Sequence, residues 1–222
     1  MDAELATTPH GLWEAGADAV ASHVPAARDR VREALLTAVV AEVADVGWDR
    51  ATVAGICRRA GVQVADFDAQ FGDKHDCFAT AGRIFVDELL ASIRAALRGV
   101  EEWEAGVRAA LGALLTYLAH HPQEARAFLV EALMAGPEAL ANRDIALRSF
   151  ASFLAARQLA LRDPAGGPSA LVSEATVGGI YGIVARRVRD GQIDSLPELR
   201  SALAYFLLAP LVGCPRARLE LV

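Results

Sequence analysis

Cysteine is scarce in this 222-residue sequence, and its spacing argues against a disulfide framework. The three cysteines, Cys57, Cys77 and Cys214, lie far apart, and no two of them form a CxxC pair. Disulfide-stapled domains carry even numbers of cysteines, and structural zinc sites carry closely paired ones. We therefore expect buried, reduced thiols and no cofactor. A metal or redox site is the less favoured alternative.

Aromatic residues are also few, at 6% of the chain, whereas Ala, Leu, Val and Arg dominate. Ala, Leu and Arg lose little side-chain freedom in a helix, so this composition favours helices. No segment alternates apolar and polar residues as a half-buried strand does. The composition predicts an all-α fold.

Long hydrophobic runs are missing as well. The most apolar stretch, at residues 203–212, contains Pro210 and is well short of the roughly 20 residues that a membrane helix needs. The first residues carry acidic side chains where a signal peptide has a basic region. We expect a cytoplasmic protein without a signal peptide or membrane span.

Positive charge is not in excess, and the common catalytic motifs are absent from the sequence. There are 22 Lys and Arg residues against 28 Asp and Glu residues, a net charge of −6. This balance argues against a protein that coats nucleic acid nonspecifically, but it allows a small DNA-reading surface. We find no nucleophile elbow, phosphate loop or cluster of metal ligands. The chain is therefore not expected to be an enzyme.

The sequence does contain a succession of amphipathic helices. Residues 1–27 lack sustained periodicity and form a predicted N-terminal extension. Apolar residues then recur at spacings of three and four up to Gly47, which predicts a first helix. They are Val31, Leu35, Val39, Val43 and Val46.

Two short helices follow the first one. Thr52 can cap a second helix whose inward side carries Val53, Ile56 and Cys57, and Gly61 can end it in the left-handed conformation. Val64, Phe67 and Phe71 are expected to line one side of a third. Two short helices joined by a glycine-containing turn after a longer helix form the helix-turn-helix pattern. Because many helical bundles contain such a corner, the pattern alone does not predict DNA binding.

Longer helices make up the remainder of the chain. We predict them over residues 74–98, 101–120, 122–135, 137–162, 168–190 and 196–211. Pro122, Pro137 and Pro168 each suit a first helical turn, where a missing N–H costs nothing. The clearest flexible loop is predicted at residues 163–168.

The run from Arg30 to Phe78 resembles the DNA-binding domain of the TetR family of transcriptional regulators. The elements that match in order and spacing are the first helix closing on Gly47, then Trp48, Thr52-Val53, Ile56, Ala60-Gly61-Val62, Phe67, Phe71, Lys74 and Phe78. The resemblance implies a three-helix DNA-binding domain at residues 28–75 and a helical ligand-binding and dimerisation domain at residues 76–222.

The resemblance also implies which residues contact DNA. Residues 63–70 would form the recognition helix in the major groove. Thr52, at the start of the second helix, and Lys74, the only lysine in the chain, would each contact a phosphate. The full set of predicted DNA contacts is Thr52, Gln63, Val64, Ala65, Phe67, Asp68 and Lys74. A solvated surface lysine is the alternative interpretation of Lys74.

The recognition helix departs from the family pattern at three positions. Gln63 stands where the family usually has Ser or Thr, and Asp68 stands where it usually has Tyr. Asp66 adds a second carboxylate, and residues 28–78 hold seven Lys and Arg against nine Asp and Glu, a net charge of −2. Lost phosphate contacts weaken DNA affinity, although an aspartate can accept from the cytosine amino group.

The C-terminal half resembles, more weakly, a TetR subgroup common in high-GC bacteria such as the actinobacteria. The resemblance implies a ligand pocket in this half and a homodimer formed through the last two long helices. The candidate ligand-binding residues are Trp103, Tyr117, Phe128, Glu131, Phe150, Phe153, Arg157 and Tyr181. For the apolar ones, plain core packing is the alternative. Glu131 and Arg157 are predicted as buried polar groups that bind the ligand, and exposure on the protein surface is the alternative.

The last two helices carry residues suited to dimerisation. Gly178, Gly179 and Gly182 form a strip of small residues. The apolar area is expected from Ile180, Ile183, Leu203, Phe206 and Leu207. Burial of these residues within one subunit is the alternative interpretation.

Together these inferences predict a ligand-responsive regulator that binds a double-stranded operator as a homodimer. By family resemblance it would be a repressor released by a small, largely apolar effector. The alternative is a dimeric ligand-binding or protein-interaction module that keeps the fold but has weakened or lost DNA binding.

Overall fold

The computed structural model describes residues 27–160 and 170–221, and every regular element within these residues is helical. The predicted extension at residues 1–27, apart from its last residue, and the predicted loop at 163–168 lie outside the described residues. The expected all-α class is confirmed for the part of the chain that is described. None of the described helices combines the length and the hydropathy that a membrane span requires.

Three helices form the N-terminal unit, which we call the head: α1 (Ala27–Val46), α2 (Val53–Ala60) and α3 (Val64–Asp68). The first helix buries Leu35, Val39 and Val43 completely, as its periodicity predicted. It ends before Gly47, whose φ of +82° lies in the left-handed region that glycine adopts without strain. The predicted end of this helix is confirmed.

The caps of α2 are those the sequence predicted. The Thr52 hydroxyl oxygen accepts a hydrogen bond from the Gly55 N–H at 3.0 Å, which satisfies a donor in the first turn. At the other end Gly61 has a φ of +70°. Ile56 and Cys57 are buried on the inward side, as expected.

Within the described ranges seven further α-helices follow, and two of the predicted helices are interrupted. The helices are α4 (Lys74–Leu97), α5 (Trp103–His120), α6 (Pro122–Leu129), α7 (Pro137–Ala160), α8 (Ala170–Arg189), α9 (Arg200–Val212) and α10 (Cys214–Ala217). The helix predicted over 122–135 stops at Leu129 and continues as the 3-10 turn Glu131–Leu133, and the one predicted over 196–211 begins with the 3-10 turn Leu196–Leu199. The first interruption coincides with a tertiary contact, since the Tyr181 hydroxyl donates to the Leu129 carbonyl at 2.9 Å.

One continuous hydrophobic core runs through the head and the C-terminal helices. Helix α4 joins the two halves, because it packs against α1 in the head and against α5 and α7 further on. Phe78, near its start, is 1% exposed and lies among residues of both halves. The head is therefore not separated from the rest of the chain by a solvated linker.

The expectation of buried thiols is met at two of the three cysteines. Cys57 and Cys77 are buried, and burial raises the pKa of the Cys77 thiol to about 12, so that it stays protonated. Cys214 is exposed, contrary to the expectation, because it begins a short surface helix after Gly213. Among the described residues, no group of His, Cys, Asp and Glu is arranged to hold a metal ion.

Candidate functional site

The outward surface of the head is formed by α3 and the residue that precedes it. Gln63, Val64, Ala65 and Asp68 are exposed, so these four predicted DNA contacts are accessible to a partner. Val64 is 47% exposed and does not line the inward side of α3 as its position suggested. Phe67 is the reverse case, as it is 1% exposed and packs on Phe71. The prediction that the Phe67 side chain contacts DNA is wrong, because its ring is buried and packs α3 against the core.

Asp66 has a structural role at the start of α3. Its carboxylate accepts a hydrogen bond from the Gln63 N–H at 2.9 Å. A carboxylate in the first turn satisfies an otherwise unpaired donor and interacts favourably with the helix dipole. This contact accounts for one of the two acidic residues that depart from the family pattern. Asp68 makes no such contact among those described, and its side chain points away from the core.

Thr52 is exposed at the start of α2, where its hydroxyl oxygen already accepts the Gly55 N–H. A hydroxyl group has one donor besides its acceptor lone pairs. The capping bond therefore leaves the O–H proton available for a phosphate oxygen.

Lys74 is held inside the protein by more contacts than a solvated lysine would make. Its ammonium group donates to the carbonyls of Trp48 and Ala51, each at 3.0 Å, and lies 4.2 Å from the centre of the Trp48 ring. These carbonyls belong to the turn that leads into α2. An ammonium has three N–H donors, so one remains for a phosphate. Lys74 thus fixes the turn before Thr52.

Arg59 lies at the end of α2 in the head, and its charge is neutralised by acidic side chains of α1. Its guanidinium contacts the carboxylates of Glu42 at 2.5 Å and Asp45 at 2.7 Å. The hydrogen bond with Glu42 is the main reason that the pKa of Arg59 is raised. Arg58, the other basic residue at the end of α2, is exposed.

The C-terminal half encloses a cavity between α4, α5, α6, α7, α8 and α9. Its volume is about 130 Å³. Apolar side chains form almost all of the wall, and the polar residues in it are Asn142, Arg143 and Tyr181. A concave, mostly apolar site with a few polar groups is the usual form of a small-molecule pocket.

Three of the eight predicted ligand-binding residues line this cavity, namely Phe128, Phe150 and Tyr181. Trp103, Tyr117 and Glu131 do not line it. Trp103 is buried elsewhere in the core, and the Tyr117 hydroxyl donates to Glu88 at 3.0 Å. The side chains of Phe153 and Arg157 lie outside the described part of the structure.

The polar groups of the wall are bonded to the protein. Arg143 donates to one oxygen of Asp144 from Nε at 3.0 Å and from Nη2 at 2.7 Å. Asn142 donates to the Ala79 carbonyl at 2.9 Å. Burial raises the pKa of the Tyr181 phenol, which is therefore neutral and donates to Leu129. Sequence reasoning missed Asn142 and Arg143, although a run of polar residues at 142–144 inside an apolar helix could have marked them.

A chain of aromatic contacts leads from the cavity to the head. Phe128 in the wall packs on Phe78 with ring centres 4.9 Å apart, and Phe78 packs on Trp48 at 5.1 Å. Glu131 reaches the same tryptophan by accepting its backbone N–H at 3.0 Å. Glu131 was predicted as a ligand contact, but its carboxylate is turned toward the head.

Arg126 makes a second polar bond from this region to the head. Its guanidinium donates to the Ala44 carbonyl in the last turn of α1 at 2.9 Å. Arg126, Phe128 and Glu131 all lie within residues 126–131. A single short segment therefore forms part of the cavity wall and holds the end of α1.

The predicted dimerisation strip is partly exposed. Gly178 and Gly182 are exposed, and nothing lies within 4 Å of the position that a side chain would take at either one. Phe206 is 45% exposed and packs against Gly179, and Leu171 is 70% exposed. Ile180, Leu203 and Leu207 are buried within the subunit, which is the alternative to a role in the dimer interface.

We compared the sequence and the structure with known proteins. No protein-family model matches the chain, and no curated protein matches it in sequence. Solved structures do match it. The fatty acid degradation regulator FadR from Bacillus halodurans is 17% identical, with a TM-score of 0.71 over 82% of this chain and 96% of that one. A TetR-like transcriptional regulator from Rhodococcus sp. RHA1 is 20% identical, with a TM-score of 0.61 over 84% and 99%.

The chain has the TetR fold. A third match is the transcriptional regulator FadR from Bacillus subtilis in complex with stearoyl-CoA, at 16% identity and a TM-score of 0.68 over 82% of this chain and 98% of that one. The matches cover nearly all of those chains, so the TetR fold here includes both the head and the C-terminal helices.

Proposed function

We propose that this protein is a ligand-responsive transcriptional regulator that binds double-stranded DNA as a homodimer in the cytoplasm. The head reads the operator with the exposed residues of α3, and an effector enters the C-terminal cavity. The observation that carries this proposal is the double role of residues 126–131. They form part of the cavity wall through Phe128 and bind the head through Arg126 and Glu131.

This shared segment supplies a physical route for regulation. A ligand acts as a switch only if it binds one arrangement of the protein better than another. An effector that displaces Phe128 also moves Arg126 and Glu131, because the three side chains lie on consecutive turns of one segment. The end of α1 and the turn at Trp48 then shift, and with them the position of α2 and α3 relative to the rest of the subunit.

The effector class follows from the wall of the cavity. Nearly all of it is apolar, so a largely apolar molecule gains most by binding there. The fold match crystallised with stearoyl-CoA agrees with an acyl derivative as one such effector. By analogy with the TetR family, the protein would repress transcription while it is bound to the operator. Binding of the effector would release the operator and end the repression.

The homodimer is supported by the exposed small and apolar residues of α8 and α9. Gly178 and Gly182 leave space for a second helix to approach, and Phe206 and Leu171 add apolar surface beside it. A two-fold dimer presents two heads, so the operator would hold two half-sites related by the same symmetry.

A second candidate function is favoured by the negative charge of the outward surface of the head. Residues 62–70 contain no Lys or Arg and contain Asp66 and Asp68. Arg59 is neutralised by Glu42 and Asp45. Phosphate contacts supply much of the affinity of DNA-binding proteins, so this surface suits weak DNA binding or none. In that case the protein is a dimeric ligand-binding or interaction module.

Selection from a random duplex library tests the proposal. The purified full chain is used to select bound fragments, and the enriched duplex is titrated by fluorescence anisotropy at low and moderate salt. We expect an enriched sequence with two half-sites, and an affinity that falls as salt rises. Failure to enrich any sequence at low salt contradicts the regulator and supports the module.

A second titration tests effector control. Stearoyl-CoA and shorter acyl derivatives are added to the complex of the protein with the selected duplex. We expect release at concentrations that saturate the cavity. A scrambled duplex of the same length and composition is the control for nonspecific binding.

A further inference from the structure

We infer that the part of the effector that enters the cavity is uncharged, and that the Arg143–Asp144 pair makes the site reject anions. This inference rests on the proposed function, because it concerns the ligand of the same cavity. It is carried by the charges and hydrogen bonds of the wall.

Arg143 is the one charged side chain among the described residues that line the cavity. A lone arginine in an apolar pocket would be a strong site for a carboxylate or phosphate group. Here its Nε and Nη2 atoms both donate to Asp144, at 3.0 and 2.7 Å. The pair is neutral as a whole, so an anionic ligand gains little attraction from it.

The Asp144 carboxylate lies outside the wall and is partly exposed, but it places a negative charge beside the guanidinium. A ligand carboxylate that approached Arg143 would come close to the aspartate that already holds the guanidinium. Removing a carboxylate from water without a free cation to receive it costs several kcal/mol. An ester, thioester or alcohol leaves water at a much smaller cost.

The other two polar groups of the wall do not change this conclusion. The Asn142 amide donates to Ala79 and the Tyr181 hydroxyl donates to Leu129, both at 2.9 Å. The Asn142 amide keeps an acceptor oxygen, the Tyr181 oxygen interacts with the Arg143 guanidinium, and neither group carries a positive charge. The wall is therefore complementary to a hydrocarbon with a neutral polar group.

The cavity is partly open, so its volume gives the scale of the buried part of that hydrocarbon. One water needs about 10–15 Å³ of space of the kind measured here. A cavity of about 130 Å³ therefore holds roughly ten atoms or groups of that size. A chain of roughly ten carbons is a suitable probe.

Calorimetric titration of the full chain with matched ten-carbon compounds tests the inference. Methyl decanoate and 1-decanol are the neutral probes, and decanoate at neutral pH is the anion, all used below the concentrations at which they aggregate. We expect the neutral probes to bind at least about tenfold more tightly than decanoate, which corresponds to about 1.4 kcal/mol. Equal or tighter binding of decanoate overturns the inference, and so does failure of the neutral probes to bind.

The variant Asp144→Asn isolates the role of the ion pair. It frees the Arg143 charge, and we expect decanoate to bind at least about tenfold more tightly than to the original chain, with little change for methyl decanoate. The double variant Arg143→Gln, Asp144→Asn should lose this gain. Glu138→Gln, an exposed change on the same helix outside the wall, is the matched control. An Asp144→Asn protein that folds and still discriminates against decanoate overturns the role of the pair.

These titrations test the inference independently of the proposed function, because they measure ligand binding without DNA. If the selected operator is bound and then released by decanoate but not by methyl decanoate, the regulator stands and the inference falls. If the neutral probes bind but no operator can be selected, the inference stands and the regulator falls.

Discussion

The Glu131 carboxylate accepts a hydrogen bond from the backbone N–H of Trp48 at 3.0 Å, between residues 83 positions apart in the chain. Trp48 follows the glycine that ends α1, and its ring lies against Lys74 and Phe78. Glu131 follows directly on α6, whose Phe128 lines the cavity. The bond therefore joins the half of the TetR fold that contains the cavity to the turn that precedes α2.

Breaking this bond should uncouple the effector from DNA. In Glu131→Gln the carboxylate that receives the Trp48 N–H becomes a neutral amide, and in Glu131→Ala the acceptor is lost. We expect effector and operator each to bind nearly as before, while the effect of one on the other falls by part of the roughly 1–3 kcal/mol typical of such coupling. The measurement is operator affinity with and without saturating effector. Glu138→Gln is the control, and unchanged coupling in Glu131→Ala would exclude this route.

Removing the Lys74 ammonium should destabilise the head even without DNA. Lys74→Met leaves the carbonyls of Trp48 and Ala51 without this donor and removes the contact with the Trp48 ring. We expect a loss of about 1–3 kcal/mol in the free energy of unfolding, measured with urea. Arg58→Met, which removes an exposed charge of the same head, should change it by less than about 0.5 kcal/mol. Equal effects of the two changes would mean that Lys74 is only a solvated lysine.

Replacing Asp68 by Tyr should strengthen DNA binding if the head docks on a duplex. The change removes an exposed negative charge from α3 and adds a hydroxyl group at the position where the TetR family usually carries one. We expect a gain of about tenfold or more at low salt, measured by anisotropy with the selected operator. Asp87→Asn removes a similar exposed charge from the middle of α4 and should have little effect. No gain would favour the interaction module.

Gly55→Ala should destabilise the protein although alanine is the better helix former. A β-carbon at this position would overlap the Glu42 carboxylate, which is buried and paired with Arg59. The expected loss is about 1–3 kcal/mol, which outweighs the roughly 1 kcal/mol that alanine gains over glycine in a helix. Thermal unfolding should show a lower midpoint. Gly178→Ala, where the added carbon meets open space, is the matched glycine substitution, and an unchanged midpoint in Gly55→Ala would show that Glu42 can move away.

Gly182→Leu should dissociate the proposed dimer without unfolding the subunit. Nothing lies within 4 Å of the new β-carbon in the monomer, but a helix of a second subunit would be held away by the larger side chain. We expect a shift from dimer to monomer in light scattering after size exclusion, with the helical circular dichroism retained. Leu219→Glu, an exposed change near the end of the chain, should leave the mass unchanged. A persistent Gly182→Leu dimer would place the interface elsewhere.

The sequence by itself determined the helical elements of the head, because their ends are set by local chemistry. The apolar spacing of α1, the Thr52 cap and the left-handed glycines at 47 and 61 each act within a few residues, and all were predictable. The packing side of α3 was predictable at Phe67 and Phe71 but not at Val64, and Phe67 was also assigned a DNA contact that its burial does not allow. For a helix of only five residues, the sequence pattern is too short to fix that side.

Only the tertiary structure decided which of the C-terminal residues form the cavity. Phe128, Phe150 and Tyr181 meet in the cavity wall, whereas the Glu131 carboxylate faces Trp48. Arg143, which is paired with Asp144, also lies in the wall and was not predicted there. Apolar residues of these helices line the cavity, pack on a neighbouring helix or face the head, and periodicity does not distinguish these three environments. That choice depends on how helices distant in sequence pack together, and it is this packing that links the cavity to α1.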